Sequence, residues 1–552
     1  MRGPTAMLAQ APLSLALARP VIFDVSSTAA AANASTPFDG FVSYSIEFSS
    51  FPDYAGNKSH PNTFSYALLA NLGAVSGPGG APLPCVRVGG NTQDYALFDP
   101  DLAVALNGTY DPARSPDYPT TLAVGPSFFE SYAAWPAGVR FTHGFNLGGN
   151  HAPAARRRDT LLRTAALVCR ALGGGGGAAL HALEYGNEPD LFATSAQGPV
   201  RPLTYDEPAY VAEWLNGTRA IRDVFAEHCP DLLRDGELPF VAPSFAGTRN
   251  HLRAPQAWAA GLDADRNIKY FSSHNYISGA DTPGVTLQGT LMNHTRTQLS
   301  VAAHAAEYAS LGALSHPLPP LILGETNSLY NQGRRGLSDT FGAALWGVDF
   351  ALAAAAAGVR RVYFHTGVGY RYAAWQPGAV RPPYYGHVAV AAFLGAPAGA
   401  ASDAAGERAA VSVAALEPRR RPADPHADAA YAAYAPGGAL ARLLVLNLRA
   451  YNYTLGGGGG PELNPEPRPQ RTYRFRVSAF PPPAPRAAAV RRLRANGSDA
   501  VAGLSWDRWS YESGRPRRLA DATLRELVPV GPGGVLELRV PDSEAAVLDF
   551  LR

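Results

Sequence analysis

The stretch Leu183-Glu184-Tyr185-Gly186-Asn187-Glu188-Pro189-Asp190 joins the end of an apolar run to a sharp turn. Residues 181–185 are apolar enough to form a short buried strand. The chain turns at Gly186 and is interrupted again at Pro189, so Asn187 and Glu188 fall at the carboxyl end of that strand. A carboxylic acid beside an amide at a strand end is a candidate for general acid–base chemistry, although a surface turn can hold the same residues.

A second carboxylate stands in the same local setting. Residues 319–327, Pro-Pro-Leu-Ile-Leu-Gly-Glu-Thr-Asn, form a short apolar run closed by Gly324 and Glu325. The two glutamates are 137 residues apart, and one strand–helix unit of a (β/α)8 barrel takes roughly 30 to 45 residues. The spacing therefore predicts that they lie on strands 4 and 7, on opposite sides of the barrel mouth and facing one central pocket.

A pair of carboxylates across such a pocket is typical of retaining glycosidases, which hold them about 5 to 5.5 Å apart. We predict that Glu188 is the acid that protonates the leaving oxygen and then the base that activates water. Glu325 is the predicted nucleophile, and the amide of Asn187 is expected to bind the sugar 2-hydroxyl. Burial and the charge of Glu325 should raise the pKa of Glu188, so that it begins the reaction protonated.

Strand and helix patterns alternate from about residue 38 to residue 394, which favours a closed parallel barrel over an open sheet. The predicted strands are 42–48, 84–88, 140–146, 179–185, 240–243, 268–276, 321–324 and 359–365. The predicted helices include 63–72, 159–172, 209–228 and 297–311. The fold class predicted for this part of the chain is α/β, a (β/α)8 TIM barrel.

The pattern changes after about Gly395. Residues 443–448, 472–477 and 535–540 alternate as strands do, between turns rich in glycine and proline, which predicts a C-terminal all-β sandwich domain. The run 20–26 is rich in β-branched residues and is expected to lend a strand to that sandwich. The predicted division is a signal peptide at 1–18, the N-terminal strand at 19–37, the barrel at 38–395 and the sandwich at 396–552.

Several ordered motifs resemble glycoside hydrolase family 79. They are residues 44–57 at the first strand, residues 86–94 around Gly89-Gly90, the turn at 187–189 and the turn at 324–328. The resemblance runs from about residue 20 to the C-terminus and is strongest to the fungal β-glucuronidases, with heparanase more distant. It implies a barrel with a β-sandwich, no cofactor, and release of terminal β-D-glucuronic acid, with or without a 4-O-methyl group, through a covalent glycosyl-enzyme.

Further substrate-binding residues are expected at the strand ends, where polar groups suit sugar hydroxyls. Glu47 ends strand 1, Asn91 and Gln93 follow strand 2, and the hydroxyl of Tyr276 is placed to hydrogen-bond Glu325. A glucuronide carboxylate needs hydrogen-bond donors, and the loop after Glu325 can supply them. The resemblance implies that Tyr330 and Gly333 of this loop, together with Tyr372, hold that carboxylate.

The N-terminus and the glycosylation pattern predict a secreted, extracellular protein. Residues 6–18 are apolar and end in Ala-Leu-Ala, which suits a signal-peptide cleavage site. The sequon Asn-x-Ser/Thr occurs at Asn33, Asn57, Asn107, Asn216, Asn293, Asn452 and Asn496. No later stretch approaches 18 uninterrupted apolar residues, so we expect no membrane span.

Composition and cysteine count limit which partners, disulfides and metal sites are expected. The net charge of +2 gives no reason to expect a nucleic acid, and the expected partner is a β-glucuronide of plant or proteoglycan glycans. The three cysteines, Cys85, Cys169 and Cys229, allow one disulfide at most. No Cys/His spacing matches a zinc site, so we expect no metal.

Three alternatives stay open on the sequence. An endo-acting, heparanase-like enzyme would need a long basic cleft, and a β-glucosidase would keep both glutamates but differ at the Tyr330 loop. A non-catalytic, secreted carbohydrate-binding protein is the third, and the intact glutamate pair argues against it. The leaving group and the oligomeric state are also open.

Overall fold

The computed structural model describes residues 19–551 with internal gaps. The gaps are 77–81, 174–177, 196–197, 234–235, 315–316, 396–410, 421, 423, 458–459, 481 and 520–524. The predicted signal peptide at 1–18 therefore lies outside the described residues, and so does the start of the predicted sandwich at 396.

Eight parallel strands form a closed barrel, which confirms the predicted fold class. In barrel order they are Val42–Glu47, Val86–Gly89, Arg140–Phe145, Ala179–Tyr185, Phe240–Phe245, Ile268–Gly279, Leu321–Tyr330 and Val362–Thr366. Strand 7 is longer than predicted, because it keeps pairing with strand 6 as far as Tyr330. Glu325 therefore lies within strand 7, whereas Glu188 lies just after strand 4, as predicted.

Helices connect the barrel strands. The described α-helices are Phe51–Ala55, Thr63–Val75, Ala154–Gly173, Glu207–His228, Ala254–Ala259, His294–Ser310, Phe341–Ala356 and Pro382–Leu394. Local sequence explains where some begin: Asp206 caps Glu207–His228 by accepting a hydrogen bond from the Ala209 amide, and Pro208 fits its first turn. No helix within the described ranges is long and apolar enough to cross a membrane.

Additional elements follow the carboxyl ends of the barrel strands. A small sheet of Ala96–Phe98, Leu106–Thr109 and Thr121–Val124 is inserted between barrel strands 2 and 3. A two-stranded pair, Trp375–Gln376 and Ala379–Val380, follows strand 8. The short helices Asn91–Tyr95 and Pro189–Leu191 follow strands 2 and 4. These additions build walls around the barrel mouth.

The C-terminal region is all-β, as predicted. Val21–Val25 joins a three-stranded sheet with Gln470–Val477 and Val535–Pro541. A nine-stranded sheet consists of Ser412–Ala415, Asp428–Tyr434, Leu440–Asn447, Ala487–Arg494, Ser505–Trp506, Trp509–Ser510, Arg517–Arg518, Leu527–Pro529 and Glu544–Leu551. Phe23, Phe475 and Leu538 of the small sheet share one buried core with Leu443 and Leu548 of the large one. The two sheets therefore pack face to face.

The large sheet also buries its other face, against the barrel. Tyr431 and Leu444 belong to the same hydrophobic core as the helix Phe341–Ala356, whose described side chains are nearly all buried. Within this contact Asp349 accepts hydrogen bonds from the Tyr431 hydroxyl at 2.7 Å and from His294 Nδ1 at 2.9 Å. Apolar packing and a buried polar cluster thus hold the sandwich and the barrel together.

Candidate active site

Glu188 and Glu325 meet at the carboxyl ends of the barrel strands. One carboxylate oxygen of each lies within 4.8 Å of the other, and both line a cavity of about 440 Å³. The separation fits the spacing of retaining glycosidases and is shorter than the roughly 6.5 to 9.5 Å that an inverting enzyme needs to admit a water. Because strands 4 and 7 lie across the barrel, neither residue reaches this place without the closed fold.

Strong hydrogen-bond donors surround the carboxylate of Glu325. The Tyr276 hydroxyl donates to Oε1 at 2.7 Å, as expected from the sequence, and Arg87 Nη1 donates to Oε2 at 2.7 Å. Nδ1 of His365 is 3.5 Å from Oε2. Burial alone would raise the pKa of Glu325, but the neighbouring histidines, the guanidinium and the hydroxyl bond hold it below the ordinary value. Glu325 is therefore an ionised group at neutral pH.

Glu188 has a different environment. Its backbone is left-handed, with φ of 51°, and its amide donates to the Ser244 carbonyl, so the side chain is fixed at a strained position of the kind that clusters at functional sites. Its side chain is 14% exposed, and Oε1 is 2.9 Å from Nδ1 of His274. Burial first, and the charge of Glu325 second, raise the pKa of Glu188. The two carboxyl groups thus have opposite shifts, as an acid and a nucleophile require.

Arg87 is a functional residue that sequence reasoning missed. It is buried on strand 2 and binds Glu325, while Nε and Nη2 both donate to Oε2 of Glu184, at 2.9 and 2.6 Å. It also donates to Ser45 and to the side chain of Asn187. The signal was present as charged residues inside the otherwise apolar runs Val-Arg-Val and Ala-Leu-Glu-Tyr. Such residues are rarely buried unless they are paired.

Glu47 lines the cavity, but its carboxylate is already extensively bonded. Oε1 accepts from the Thr92 hydroxyl at 2.5 Å and from the amides of Thr92 and Phe48. Oε2 accepts from the Tyr370 hydroxyl at 3.0 Å and lies 3.3 Å from Nε2 of His365. Burial opposes a charge on His365, yet the carboxylates of Glu325 and Glu47 raise its pKa. The two carboxylates therefore favour the protonated form of His365.

Asn187 and Asn91 form an amide pair beside the glutamates. Asn187 Nδ2 donates to Asn91 Oδ1 at 3.2 Å, and Asn91 Nδ2 donates to the Tyr118 hydroxyl. The Asn187 amide N–H donates to Asp94 Oδ2 at 2.7 Å, which fixes the turn before Glu188. Both asparagines and Asp94 line the cavity, where the sequence predicted Asn187 and Asn91. Asp94, which belongs to the polar run that follows strand 2, is a further lining residue.

Gln93 does not lie among the residues that line the cavity. The segment Asn91–Tyr95 is a 3-10 helix, in which residues three apart share a face. Asn91 and Asp94 therefore point to the cavity while Gln93 points into the barrel wall, where its amide donates to the Phe145 carbonyl at 3.1 Å. Gln93 has no exposed surface, so the prediction that it binds substrate does not fit this position.

In the loop after strand 7, one predicted carboxylate-binding residue, Tyr330, lines the cavity, and the other, Gly333, does not. Tyr330 is 48% exposed and lines the cavity with Asn331 and Gln332, both of which have left-handed backbones. The amide N–H of Gly333 instead donates to the Leu329 carbonyl, and Gly333 is not among the lining residues. The donor that the prediction assigned to Gly333 is therefore already in use.

Tyr372 completes the wall on the strand 8 side. It is buried, lines the cavity, and its ring centroid is 6.0 Å from that of Tyr276. Across the mouth, Tyr95, Leu191, Phe192 and Val200 add apolar surface. The described lining therefore combines aromatic rings with carboxylates and amides, the mixture that suits a sugar ring.

Glu188, His274 and Glu325 present ligand atoms that all lie within 4.8 Å of one another, a geometry that could also hold a metal ion. In this structure His274 bonds to Glu188, and Glu325 bonds to Tyr276 and Arg87. The prediction that the reaction needs no metal stays a prediction.

Comparisons with known proteins agree with this geometry. Residues 430–547 match the family model described as the glycosyl hydrolase family 79 C-terminal beta domain. A β-glucuronidase of Neurospora crassa is 53% identical over 506 residues, covering 88% of this chain and 88% of that protein. A β-glucuronidase of Aspergillus niger is 45% identical over 545 residues, covering 95% and 94%.

Solved structures share the fold. A 4-O-α-L-rhamnosyl-β-D-glucuronidase from Fusarium oxysporum has a TM-score of 0.72 at 24% identity, covering 96% of this chain and all of that one. A family 51 arabinofuranosidase from Xanthomonas axonopodis has a TM-score of 0.59 at 14% identity, covering 96% and 100%. At these identities the likeness concerns architecture.

Proposed function

This chain belongs to glycoside hydrolase family 79, and we propose that it is a retaining β-glucuronidase that releases terminal β-D-glucuronic acid. The observation that carries the proposal is the pair Glu188 and Glu325, close together in one cavity with opposite pKa shifts. The sugar follows from the two fungal relatives, both of which are β-glucuronidases.

In the first step Glu325 attacks the anomeric carbon while Glu188 gives its proton to the departing glycosidic oxygen. The bond from the anomeric carbon to the leaving oxygen breaks, and an ester to Glu325 forms. Arg87 and Tyr276 keep Glu325 ionised and aimed before the attack, because both donate to its oxygens. As the ester forms, Glu325 loses its negative charge. Glu188 becomes a carboxylate because it has given its proton to the leaving oxygen.

In the second step Glu188, now a carboxylate, takes a proton from water, and the water oxygen attacks the anomeric carbon. The ester to Glu325 breaks, so the sugar leaves with its original configuration. Esterification of Glu325 removes the negative charge that raised the pKa of Glu188, which makes Glu188 easier to ionise at the stage where it acts as the base.

Recognition of the glucuronide falls to the remaining lining residues. Asn187 and Glu47 face the sugar from strands 4 and 1, and Tyr330 offers a hydroxyl donor to the C6 carboxylate at the rim. The neighbouring Asn331 and Gln332 offer amide groups in the same place. We assign the carboxylate site to this loop without the Gly333 amide. The glycans that carry the sugar in nature would be those of plants or proteoglycans.

Secretion is part of the same proposal. Cys169 and Cys229 form a disulfide, a bond that persists in oxidising compartments, while Cys85 is free and buried. Five sequon asparagines are exposed and open to an oligosaccharide: Asn33, Asn57, Asn107, Asn216 and Asn496. Asn293 and Asn452 are half-buried.

The test compares 4-nitrophenyl β-glucuronide with 4-nitrophenyl β-glucoside. We expect cleavage of the glucuronide, with the β-anomer of the free sugar appearing first by NMR. On the nitrophenyl glucuronide, Glu325→Ala lacks the nucleophile of the first step and Glu188→Ala lacks the base of the second, so each should lose at least about 10³-fold in kcat. Azide should rescue Glu188→Ala to give the β-azide and Glu325→Ala to give the α-azide, because the empty space then admits a small nucleophile on opposite faces.

Three outcomes would contradict the proposal in different ways. A preference for the glucoside would remove the sugar assignment but keep the mechanism. Initial release of the α-anomer would remove retention. Full activity in Glu325→Ala, with the melting temperature unchanged, would remove the assignment of the nucleophile.

A further inference from the structure

The cavity extends around Glu188 beyond what the reaction above uses. Leu191, Phe192 and Val200, from the segment after strand 4, line it together with Ala246 and Asn250, from the segment after strand 5. These residues flank the acid, whereas Glu47, Asn91 and the Tyr330 loop belong to other strand ends. In a retaining glycosidase the leaving group lies beside the acid that protonates it. The surface around Glu188 is therefore where the leaving group must sit.

Asp190 holds the side chain of Asn250, which is the only amide that the segment after strand 5 contributes to the described cavity lining. It is completely buried, two residues after Glu188, and it uses both carboxylate oxygens. Oδ1 accepts from the Ala246 amide at 2.9 Å, and Oδ2 accepts from Asn250 Nδ2 at 2.7 Å. One buried carboxylate thus orients both strand 5 residues of the lining.

Because Asn250 uses Nδ2 for this bond, its Oδ1 remains available to a ligand in the cavity. An ionised carboxylate only accepts, so Nδ2 faces Asp190 and Oδ1 has no donor among the described residues. Burial raises the pKa of Asp190, and its protonation would turn the amide and present Nδ2 instead. A hydroxyl group can donate to the first arrangement and accept from the second, so a hydroxyl partner satisfies Asn250 in either state.

Apart from Ser195 and Gly198, the other residues of this surface have apolar side chains. Phe192 offers an aromatic ring, and Leu191, Val200 and Ala246 offer aliphatic side chains. Sites of this kind use apolar contacts for most of their area and one or two fixed polar groups for orientation. A pyranose has a matching surface, with C–H bonds on its face and hydroxyls at its edge. A simple aryl group would bury the same apolar area but leave Asn250 without a partner.

We propose that the surface around Glu188 is a leaving-group subsite for a sugar, and that Asn250, held by Asp190, binds a hydroxyl of that sugar. This inference rests on the proposed function, because it takes Glu188 as the acid. Asn250 is a specificity-determining residue, and Asp190 is a positioning residue that acts through it.

The experiment measures kcat/KM for two substrates, a β-glucuronosyl hexose disaccharide and phenyl β-glucuronide, with wild type and Asn250→Ala. The disaccharide offers hydroxyls, and the phenyl group offers none. We expect Asn250→Ala to lower kcat/KM for the disaccharide roughly 3- to 10-fold, the value of one neutral hydrogen bond, and to change the phenyl substrate less than about 2-fold. The matched control is Asn331→Ala, an amide on the opposite rim, which should change both substrates by the same factor.

A second measurement begins with the wild type alone. Disaccharides that lack one hexose hydroxyl at a time should lose the same 3- to 10-fold with wild type for one position, and that loss should disappear in Asn250→Ala. Equal loss on both substrates in Asn250→Ala, or no sensitive hydroxyl, overturns the subsite. If wild type cleaves neither substrate, the proposed function itself fails. The two failures are therefore distinguishable.

Discussion

Replacing Tyr276 by Phe tests how the nucleophile is kept ionised. The substitution keeps the ring beside Tyr372 but removes one hydroxyl, which donates to Glu325 Oε1 at 2.7 Å. A hydrogen bond to a charged group contributes about 1.5 to 3 kcal/mol. Since one pKa unit corresponds to about 1.4 kcal/mol, the loss should raise the pKa of Glu325 by about 1 to 2 units. Arg87 remains bonded to Oε2, so the carboxylate stays in place.

The pH profile of kcat/KM is the assay. Its acid limb reports protonation of Glu325 and its basic limb reports ionisation of Glu188. Because the pKa of Glu325 is depressed in the folded protein, the variant should lose activity at a higher pH on the acid side. The basic limb should move much less. The expected displacement of the acid limb is about 1 to 2 pH units upward.

A matched control is Tyr370→Phe, which removes a hydroxyl from a different buried carboxylate, that of Glu47. It should leave the acid limb within about 0.3 units of wild type, whatever it does to the rate. An acid limb that stays in place in Tyr276→Phe, with the variant folded, would refute the reasoning. So would an equal displacement in both variants.

Three further outcomes follow from the same structure. Arg87→Met leaves two buried carboxylates without their cation, so we expect a loss of about 3 to 5 kcal/mol in the free energy of unfolding and an activity near background; a stable and active variant would refute the role of the ion pair. The pKa of His294 is raised because its bond to Asp349 outweighs burial, so its stabilisation is full below about pH 6.5 and is lost as the pH rises through the folded pKa. The melting temperature of His294→Gln should therefore show less decline from pH 6 to pH 8 than wild type, and parallel curves would contradict this. The double variant Cys169→Ser, Cys229→Ser opens a loop of 60 residues and should lose about 2 to 4 kcal/mol by denaturant titration, whereas unchanged stability would mean that the bond constrains nothing.

Local sequence was enough to predict the barrel and the position of its two glutamates. Apolar runs that end in glycine or proline turns mark strand ends without knowledge of the fold, and a regular strand–helix spacing then assigns Glu188 and Glu325 to strands 4 and 7. The apolar run predicts an end of strand 7 at Gly324, whereas the strand continues to Tyr330. Thr326 and Asn327 continue the strand as buried polar residues, since a closed barrel mouth can satisfy them.

The direction in which a side chain or a backbone amide points was harder to predict from the sequence. The bonds of Arg87 to Glu184 and Glu325 join strands 2, 4 and 7, and no local pattern specifies such a contact. Gln93 was predicted to bind substrate because it follows a strand, but the 3-10 helix there turns it away from the cavity. Gly333 was chosen for its amide, and the loop backbone already uses that amide. Local sequence does not specify the single backbone dihedral that decides which group faces the cavity.

The parallel pairing of Val21–Val25 with Gln470–Val477 has a consequence for biosynthesis. The first described strand to leave the ribosome pairs with one made near the end of the chain. At 5 to 20 residues per second, roughly 20 to 90 s separate the two. The helix Phe341–Ala356 is also made before the sheet that covers it. The nascent barrel therefore exposes apolar surface and an unpaired strand until Gln470–Val477 and the covering sheet are made.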